Sequence, residues 1–221
     1  MSATVLYMSI SVDGFIAGPN VRPDNGLGDG GERLHEWVFG KRVSMDPEPR
    51  SDVWFGEGGV NDTGTVGRRL SGPDREVWTE LMATGAVLAG RGTIEPAGGW
   101  GGDHHAGVPI FILSRHAAPP EFGDYPLIHY VSDLEKAVHD AKAAARGRNV
   151  LVHGAGLAQR LLRAGLLDEI QLHLVPVLFG QGVRLFDALP AEQIELQLIR
   201  EIGGAEVVHL RYRVTPTGAS N

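Results

Sequence analysis

The stretch "VLVHGAGLAQRLLRAGLLDEI", residues 150–170, decides the fold. An apolar run too short for a helix stops at the small residues Gly154, Ala155 and Gly156 and passes straight into an amphipathic segment that Gly165 ends. "EIQLHLVPVLFG" (169–180) then reads as an alternating strand. Strand, tight turn, helix and strand in this order make a unit of a parallel α/β sheet. The amides of Ala155, Gly156 and Leu157 open the helix, where unpaired N–H groups and the helix dipole favour an anion. Taken alone, the turn reads rather as a tight strand-to-helix reversal that needs glycine for φ or close packing. It matches neither the G-x-G-x-x-G dinucleotide fingerprint nor the phosphate loop of P-loop NTPases.

The same alternation extends outward in both directions. "AVLAG" (86–90), "VPIFILS" (108–114) and "LIHYV" (127–131) are short apolar strands. Between them and residue 150 lies "SDLEKAVHDAKAAARG" (132–147), a helix with a Ser132/Glu135 capping box, an apolar stripe of Leu134, Val138 and Ala141, and Gly147 as its stop. "TVLYMSISV" (4–12) is a strand closed by the Asp13-Gly14 turn. "PDREVWTELMATG" (73–85) has helical spacing, and its acids read as an exposed face. The C-terminal "IELQLIREIGGAEVVHLRYRV" (194–214) is a pair of alternating strands joined at Gly203-Gly204. One of its faces carries Val208, Leu210, Tyr212 and Val214, and the other His209, Arg211 and Arg213. The expected fold is α/β: a mixed, mainly parallel central sheet flanked by helices, with a C-terminal antiparallel hairpin, in a single domain spanning 1–221. Residues 19–72 form a long glycine-rich insert, with a helix over 31–41. Its Trp37, Phe39, Trp54 and Phe55 are too apolar for a solvated tail, so it reads as a lid or dimer-contacting segment.

Composition removes several functions. The 221 residues contain no cysteine, which excludes disulfides, thiolate nucleophiles and cysteine-held metals. A net charge of -7 argues against nucleic-acid partners. No basic leader precedes an apolar run at the N-terminus, and no stretch reaches the roughly 20 apolar residues of a membrane span, so the expected location is the cytoplasm. His104 and His105 sit in a glycine-rich loop without a third ligand at metal-binding spacing, and read as solvated. His173 and His209 occupy polar positions of alternating strands and read as sheet-surface residues. No metal is expected.

Two further turns give the opening turn a chemical context. "LAGRGTI" puts Arg91 and Thr93 directly after one strand, and "FILSRH" puts Ser114, Arg115 and His116 directly after another. In parallel sheets the carboxyl ends of the strands share one edge, where ligands gather. A hydroxyl beside a guanidinium suits a phosphate monoester, and the acidic residue that would select an unphosphorylated ribose is missing. These residues point to NADP(H).

Together, "SISVDGFIAG" (9–18), "GAVLAGRGT" (85–93), "PIFILSR" (109–115), the run from "VLVHGAG" to "GQGVRLF" (150–186) and the terminal hairpin resemble a known family. It is the reductase domain of bifunctional riboflavin-biosynthesis deaminase/reductases, and more broadly the dihydrofolate reductase-like proteins. The resemblance covers most of the chain outside 19–72, and no deaminase zinc motif accompanies it. It implies NADPH as cofactor, hydride transfer to a small heterocyclic or sugar-derived substrate, and a homodimer. Carried over, Arg91 and Thr93 contact cofactor phosphates, Ser114 and Arg115, beside His116, hold the 2′-phosphate, and His153, Gly154, Ala155, Gly156 and Leu157 hold the pyrophosphate. Ile16 and Ala17 lie against the nicotinamide, and Asp13 is a candidate polar contact with substrate. His153-Gly154 stands where the family has a glycine pair, and Gly92 where it has a basic residue. The family's proton donor has no counterpart that can be placed. Two alternatives are a non-catalytic NADP(H)-binding protein and a flavin- or deazaflavin-using oxidoreductase.

Overall fold

The computed structural model describes residues 2–22, 25–40, 70–187, 189 and 192–215. Trp54 and Phe55, like all of residues 41–69 of the insert, lie outside the described residues. One eight-stranded sheet takes strands from Thr4 to Val214. In chain order these are β1 (Thr4–Ser11), β3 (Ala86–Gly90), β4 (Ile110–Leu113), β5 (Ile128–Val131), β6 (Val150–His153), β7 (Glu169–Val175), β9 (Leu196–Gly203) and β10 (Val208–Val214). Their order across the sheet is β5-β4-β3-β6-β1-β7-β10-β9. The first six run parallel, and β10 pairs antiparallel with both β7 and β9. A separate two-stranded ribbon joins β2 (Phe15–Ala17) to β8 (Val183–Arg184). The helices are α1 (Glu36–Phe39), α2 (Gly72–Met82), α3 (Arg91–Ile94), α4 (Leu134–Ala144) and α5 (Ala155–Arg163).

Every residue of β1 is buried, because layers cover both faces of the central strands. One face packs Leu6, Met8, Leu88, Phe111 and Val152 against α4 and α5 through Val138, Ala141, Ala158 and Leu161. The opposite face packs Val5, Tyr7, Val87, Ile110 and Leu151 against Ile94, Val108 and Trp100. A third cluster joins the insert to α2, with Leu34, Trp37 and Val38 against Val77, Trp78 and Val175.

Several boundaries differ from the sequence reading. The N-cap of α4 is Asp133, whose carboxylate accepts the Lys136 amide at 2.7 Å, so Ser132 and Glu135 form no capping box. β7 stops at Val175 because Pro176 has no N–H for the ladder. Residues 31–39 are a five-residue 3-10 turn (Gly31–His35) followed by α1, and Gly40, at φ +82, ends it.

The largest correction concerns the polar side of the hairpin. His173 and His209 are 2% and 0% exposed. They are not on the surface, because α2 lies across that side of the sheet and turns its own acids inward. Asp74 reaches His209, while Glu80 grips Arg200 through both carboxylate oxygens and touches Arg211 at 3.2 Å. Arg211 also pairs with Glu169 at 2.7 Å. Thus Asp74 and Glu80 do not belong to an exposed helix face.

Candidate functional site

Because β3, β4 and β6 are parallel neighbours, the turns that follow them share one edge of the sheet. That edge opens into a cleft of about 500 Å³. Arg91, Gly92 and Thr93 line it from the turn after β3, and the stretch from His153 to Leu157 lines it from the turn into α5. From the ribbon come Ile16, Ala17 and Val183, and from the insert Val21, Gly26, Leu27 and His35. The described part of the insert therefore forms one wall.

Gly154, at φ +96, adopts a conformation closed to other residues, and a Cβ there would run into Thr93 Oγ1. The turn before α5 and the short α3 thus lock together at the floor of the cleft. Gly92 and Gly156 are different. Both line the cleft, and a Cβ on either would meet nothing within 4 Å beyond the backbone of its own helix and its chain neighbours. The protein's own packing does not require glycine there, so these two positions hold open a cradle that side chains would fill. A pyrophosphate beside the first amides of α5 fits that cradle.

The cations are arranged less simply. Arg91 forms a two-bond pair with Glu95, at 2.5 and 3.0 Å, so its guanidinium is held in place but partly neutralised. Arg160, one turn into α5, also lines the cleft; it was missed in the sequence because helix spacing alone places it with solvent-facing residues. Leu113, the last residue of β4, lines the cleft, and beyond it Ser114 is buried while Arg115 and His116 are exposed. Ser114 Oγ donates to His116 O at 2.8 Å and accepts from His116 N at 3.0 Å, which fixes the loop that carries Arg115; none of Ser114, Arg115 and His116 lines the cleft itself.

Asp13 lines neither this cleft nor the smaller cavity behind it. Its carboxylate accepts from Ser11 Oγ at 2.6 Å, from Phe179 N at 3.1 Å and from Gly180 N at 2.7 Å. The Ser11 hydroxyl first, and the two amides after it, pull its pKa down to about 2. Such a group is an anion at neutral pH, and its geometry is that of a staple between the 12–14 turn and the 179–180 loop. A direct substrate contact for Asp13 is therefore set aside.

Behind the cleft lies an inner cavity of about 100 Å³, which shares Met8, His35, Trp100 and His153 with it. Aromatic side chains dominate its walls: Trp37, Phe39, Trp78 and Trp100. Trp100 sits in "GGWGG" at φ +51, between Gly99 at +66 and Gly101 at +62. A left-handed tryptophan is costly and is found where surrounding structure enforces it, often at functional sites. The flanking glycines allow the backbone to take this path, and Trp100 stacks on His153 at 5.8 Å while meeting His104 edge-on at 4.7 Å. Four imidazoles, His35, His104, His153 and His173, reach the inner cavity. Burial pushes His35 and His153 down to about 4, and burial likewise drops His104 and His173 well below the usual histidine range. All four are neutral at pH 7. His104 and His105, 5% and 1% exposed, are thus buried and not a solvated loop, and His104 lines the inner cavity. Among the described residues no group of metal-ligating side chains could hold an ion, and no helix is long and apolar enough to cross a membrane.

Residues 4–208 match the family model of the RibD C-terminal domain. The chain belongs to that family. Its membership makes it an NADPH-dependent oxidoreductase acting on a substrate of the riboflavin pathway. No curated protein matches the chain in sequence. Among solved structures, a riboflavin biosynthesis protein from Shewanella sp. PV-4 is similar at 20% identity and a TM-score of 0.61, over 97% of this chain and 99% of that one. A deaminase/reductase from Thermotoga maritima is similar at 12% identity and 0.55, over 97% of this chain and 57% of that one. A dihydrofolate reductase from Enterococcus faecalis, solved with NADP(H), is similar at 11% and 0.53, over 97% of both chains. At these identities the structures establish the shared fold, with its mainly parallel sheet and terminal antiparallel hairpin.

Proposed function

We propose that this member of the RibD C-terminal domain family holds NADPH along the cleft and reduces a carbon–nitrogen or carbon–oxygen double bond of a small substrate seated in the inner cavity. The observation that carries the reading is the cradle at Gly92 and Gly156, kept open beside the first amides of α5 at the edge where three parallel strands end. In this reading Arg91, Thr93 and the amides from His153 to Leu157 face the cofactor phosphates, with Arg160 as an added cation. Ser114 and His116 set the loop from which Arg115 reaches the 2′-phosphate. Ile16 and Ala17, on the wall of the cleft, lie beside the nicotinamide. NADPH, when bound, supplies the hydride; the chain supplies orientation and a water-poor wall of Met8, Trp100 and the neutral imidazoles.

A single set of titrations tests this. NADPH and NADH are titrated into the protein by fluorescence and calorimetry, and NADPH absorbance is then followed against a panel of riboflavin-pathway and pteridine compounds. Tight binding of NADPH over NADH with turnover of one compound is expected. No heat and no fluorescence change with NADPH sinks the proposal. A second reading, a non-catalytic NADP(H)-binding protein, draws support from one feature: among the described residues no aspartate or glutamate lines either cavity. Turnover separates the two.

The same proposal includes a homodimer, resting on the family resemblance, and a single domain and a cytoplasmic location, resting on the sequence reading. For the dimer, the edge strand β9 adds exposed apolar side chains at Leu196, Leu198 and Ile199. Sedimentation at micromolar protein tests it, and a monomer throughout refutes it.

A further inference from the structure

Two imidazoles that line the inner cavity carry a buried nitrogen with no partner among the described residues, His153 Nδ1 and His173 Nε2, and the contacts around His173 fix the protonation of its ring. His173 is 2% exposed, and its Nε2 is buried without a hydrogen-bond partner among the described residues, on the wall of the cavity. An orphaned buried polar group costs about 1–3 kcal/mol, so a native protein that keeps one usually has something to complete it.

The surrounding contacts fix which kind of partner is missing. Asp74 Oδ1 lies 2.9 Å from His209 Nε2. A carboxylate only accepts, so His209 Nε2 carries the hydrogen. Neutral His209 then has a bare Nδ1, and this atom lies 2.9 Å from Nδ1 of His173. His173 Nδ1 must therefore donate, which leaves His173 Nε2 as a bare lone pair. Burial first, then repulsion from His209 and His35, keeps the His173 ring neutral. The rest of the pair is locked in place. Trp37 covers both rings at 4.8 and 5.0 Å and donates its own Nε1–H to Ser9 Oγ. Gly204 gives Asp74 its seat, since a Cβ there would overlap the carboxylate.

A second pair repeats the pattern from the other wall. His105 Nε2 meets Thr84 Oγ1 at 3.1 Å and Thr84 O at 3.3 Å. Thr84 Oγ1 gives its hydrogen to Leu81 O, so both Thr84 oxygens accept and His105 Nε2 donates. His105 Nδ1 is then bare, and His104 Nδ1, 2.7 Å away, donates to it. The same alternation leaves Nε2 of His104 bare, on a ring that lines the same cavity. Two acceptors are thus set by relays that end on protein oxygens outside the cavity.

We infer that His173 Nε2 is the specificity-determining acceptor of the substrate cavity, taking a hydrogen bond from a ring or exocyclic N–H of a flat heterocycle, and that Asp74, through His209, is the positioning residue that keeps it an acceptor. The inference rests on the reductase reading for what occupies the cavity. The volume, about 100 Å³, suits one flat ring, and the walls of Trp37, Trp78 and Trp100 suit its faces. A ring with the same outline but no N–H leaves the lone pair unmatched, and a ring presenting a carbonyl there meets it with repulsion.

Asp74→Asn separates this role from simple packing. The carboxamide oxygen takes the Ala205 amide that Asp74 Oδ2 accepts at 3.4 Å, and the NH2 then faces His209. Every donor along the relay reverses, and His173 Nε2 becomes an N–H. Histidine-selective ¹⁵N NMR reads the protonation of each ring nitrogen directly. We expect a bare His173 Nε2 in the wild type and a protonated one in Asp74→Asn. Calorimetry with aminouracil, with and without NADPH, is expected to show binding to the wild type. Affinity should fall about ten- to a hundredfold in Asp74→Asn and in His173→Leu. His173→Gln, which can present a carbonyl oxygen, should recover part of the loss, and an aminouracil methylated at every N–H should not bind. A protonated Nε2 in the wild type overturns the inference, as does absence of aminouracil binding, or equal affinity in wild type and His173→Leu. If Asp74→Asn fails to fold, the wild-type spectrum and the two His173 variants decide alone. Failure of NADPH to bind overturns the reductase reading instead, and the cofactor-free arms still report on His173.

Discussion

Gly154→Ala tests the joint at the base of the cleft. At φ +96 and ψ 144, Gly154 is in a region essentially reserved for glycine, and a non-glycine residue held there costs of order 1–3 kcal/mol. The new methyl also collides with Thr93 Oγ1, and forcing α3 away from α5 adds about 1 kcal/mol. The sum, about 2 to 4 kcal/mol, corresponds to a fall in Tm of about 4 to 16 °C for a chain of this length. The two contributions separate in a double-mutant cycle with Thr93→Ala, which removes the hydroxyl and leaves the backbone cost. Urea unfolding of the four proteins should give a coupling of about 1 kcal/mol, with the double variant more stable than the sum of singles. Zero coupling would show that Thr93 does not pack against the turn. A Gly154→Ala protein as stable as wild type would refute the backbone argument as well. NADPH affinity, measured on the same four proteins, should follow the turn geometry: weakened in Gly154→Ala and partly restored when Thr93 yields.

The remaining expectations are shorter. Arg115→Ala should weaken NADPH by about tenfold or more and leave NADH nearly unchanged, since a charge-assisted contact is lost only where the extra phosphate exists; equal losses remove the assignment. Gly156→Val should leave urea stability within about 0.5 kcal/mol, because its Cβ meets nothing beyond its own helix backbone and its chain neighbours, yet abolish NADPH binding by filling the cradle; retained binding counts against the pyrophosphate reading. Asp13→Asn should leave turnover within about twofold but change the acid limb of stability. The folded carboxyl, held at about 2, lies below its unfolded value, so its contribution is present above the unfolded pKa and is lost as pH falls through about 2. The gap in urea midpoint between wild type and variant should therefore close on acidification, and a constant gap contradicts it. For the imidazoles the sign is the same. His35 and His153, lowered to about 4 by burial, stay neutral when folded while the unfolded chain takes up protons from about pH 6.5 downward. Stability should drop steeply between about pH 6.5 and 4, and His153→Phe should shallow that drop; an unchanged slope means His153 does not titrate with unfolding.

Much of the fold could be read from apolar runs and the glycines between them. β3, β4 and β6 are too short to be helices and too apolar to be surface, so only a sheet covered on both faces can take them. Placing their turns on one edge needed no more than parallelism. The errors share one physical origin: alternation tells which residues share a face of a strand, and not what covers that face. Alternation puts His209 and Arg211 on one side of the hairpin, yet that side is roofed by α2, and His173 joins them there as the register partner of His209. The signal was present as complementary charge, with Asp74, Glu76 and Glu80 at helical spacing on α2 and Arg200 and Arg211 on the hairpin. It could not be used without knowing that the two segments meet. Trp100 is the opposite case, since two glycines on each side of a tryptophan mark an unusual backbone path but do not say where the ring goes. His104 and His105 were read as solvated because a polar loop usually is, and only Trp100 and Thr84 explain their burial.

The two cavities are built from different parts of the fold, and this has a functional consequence. The cofactor side is made of turns and a helix N-terminus at strand ends, where a residue can change without disturbing a ladder. The relay on the substrate side lies inside the sheet: Ser9, His173 and His209 are direct register partners across β1, β7 and β10, hydrogen-bonded on both flanks. A backbone held by ladders on either side cannot adjust to a misfit, so the lone pair at His173 stays where the strands put it. Discrimination between ring edges needs that rigidity, because a buried acceptor rejects the wrong partner only if it cannot move away from it. Changes at the strand-end turns should therefore alter how tightly the nucleotide binds, while changes along the register line should alter which ring is accepted.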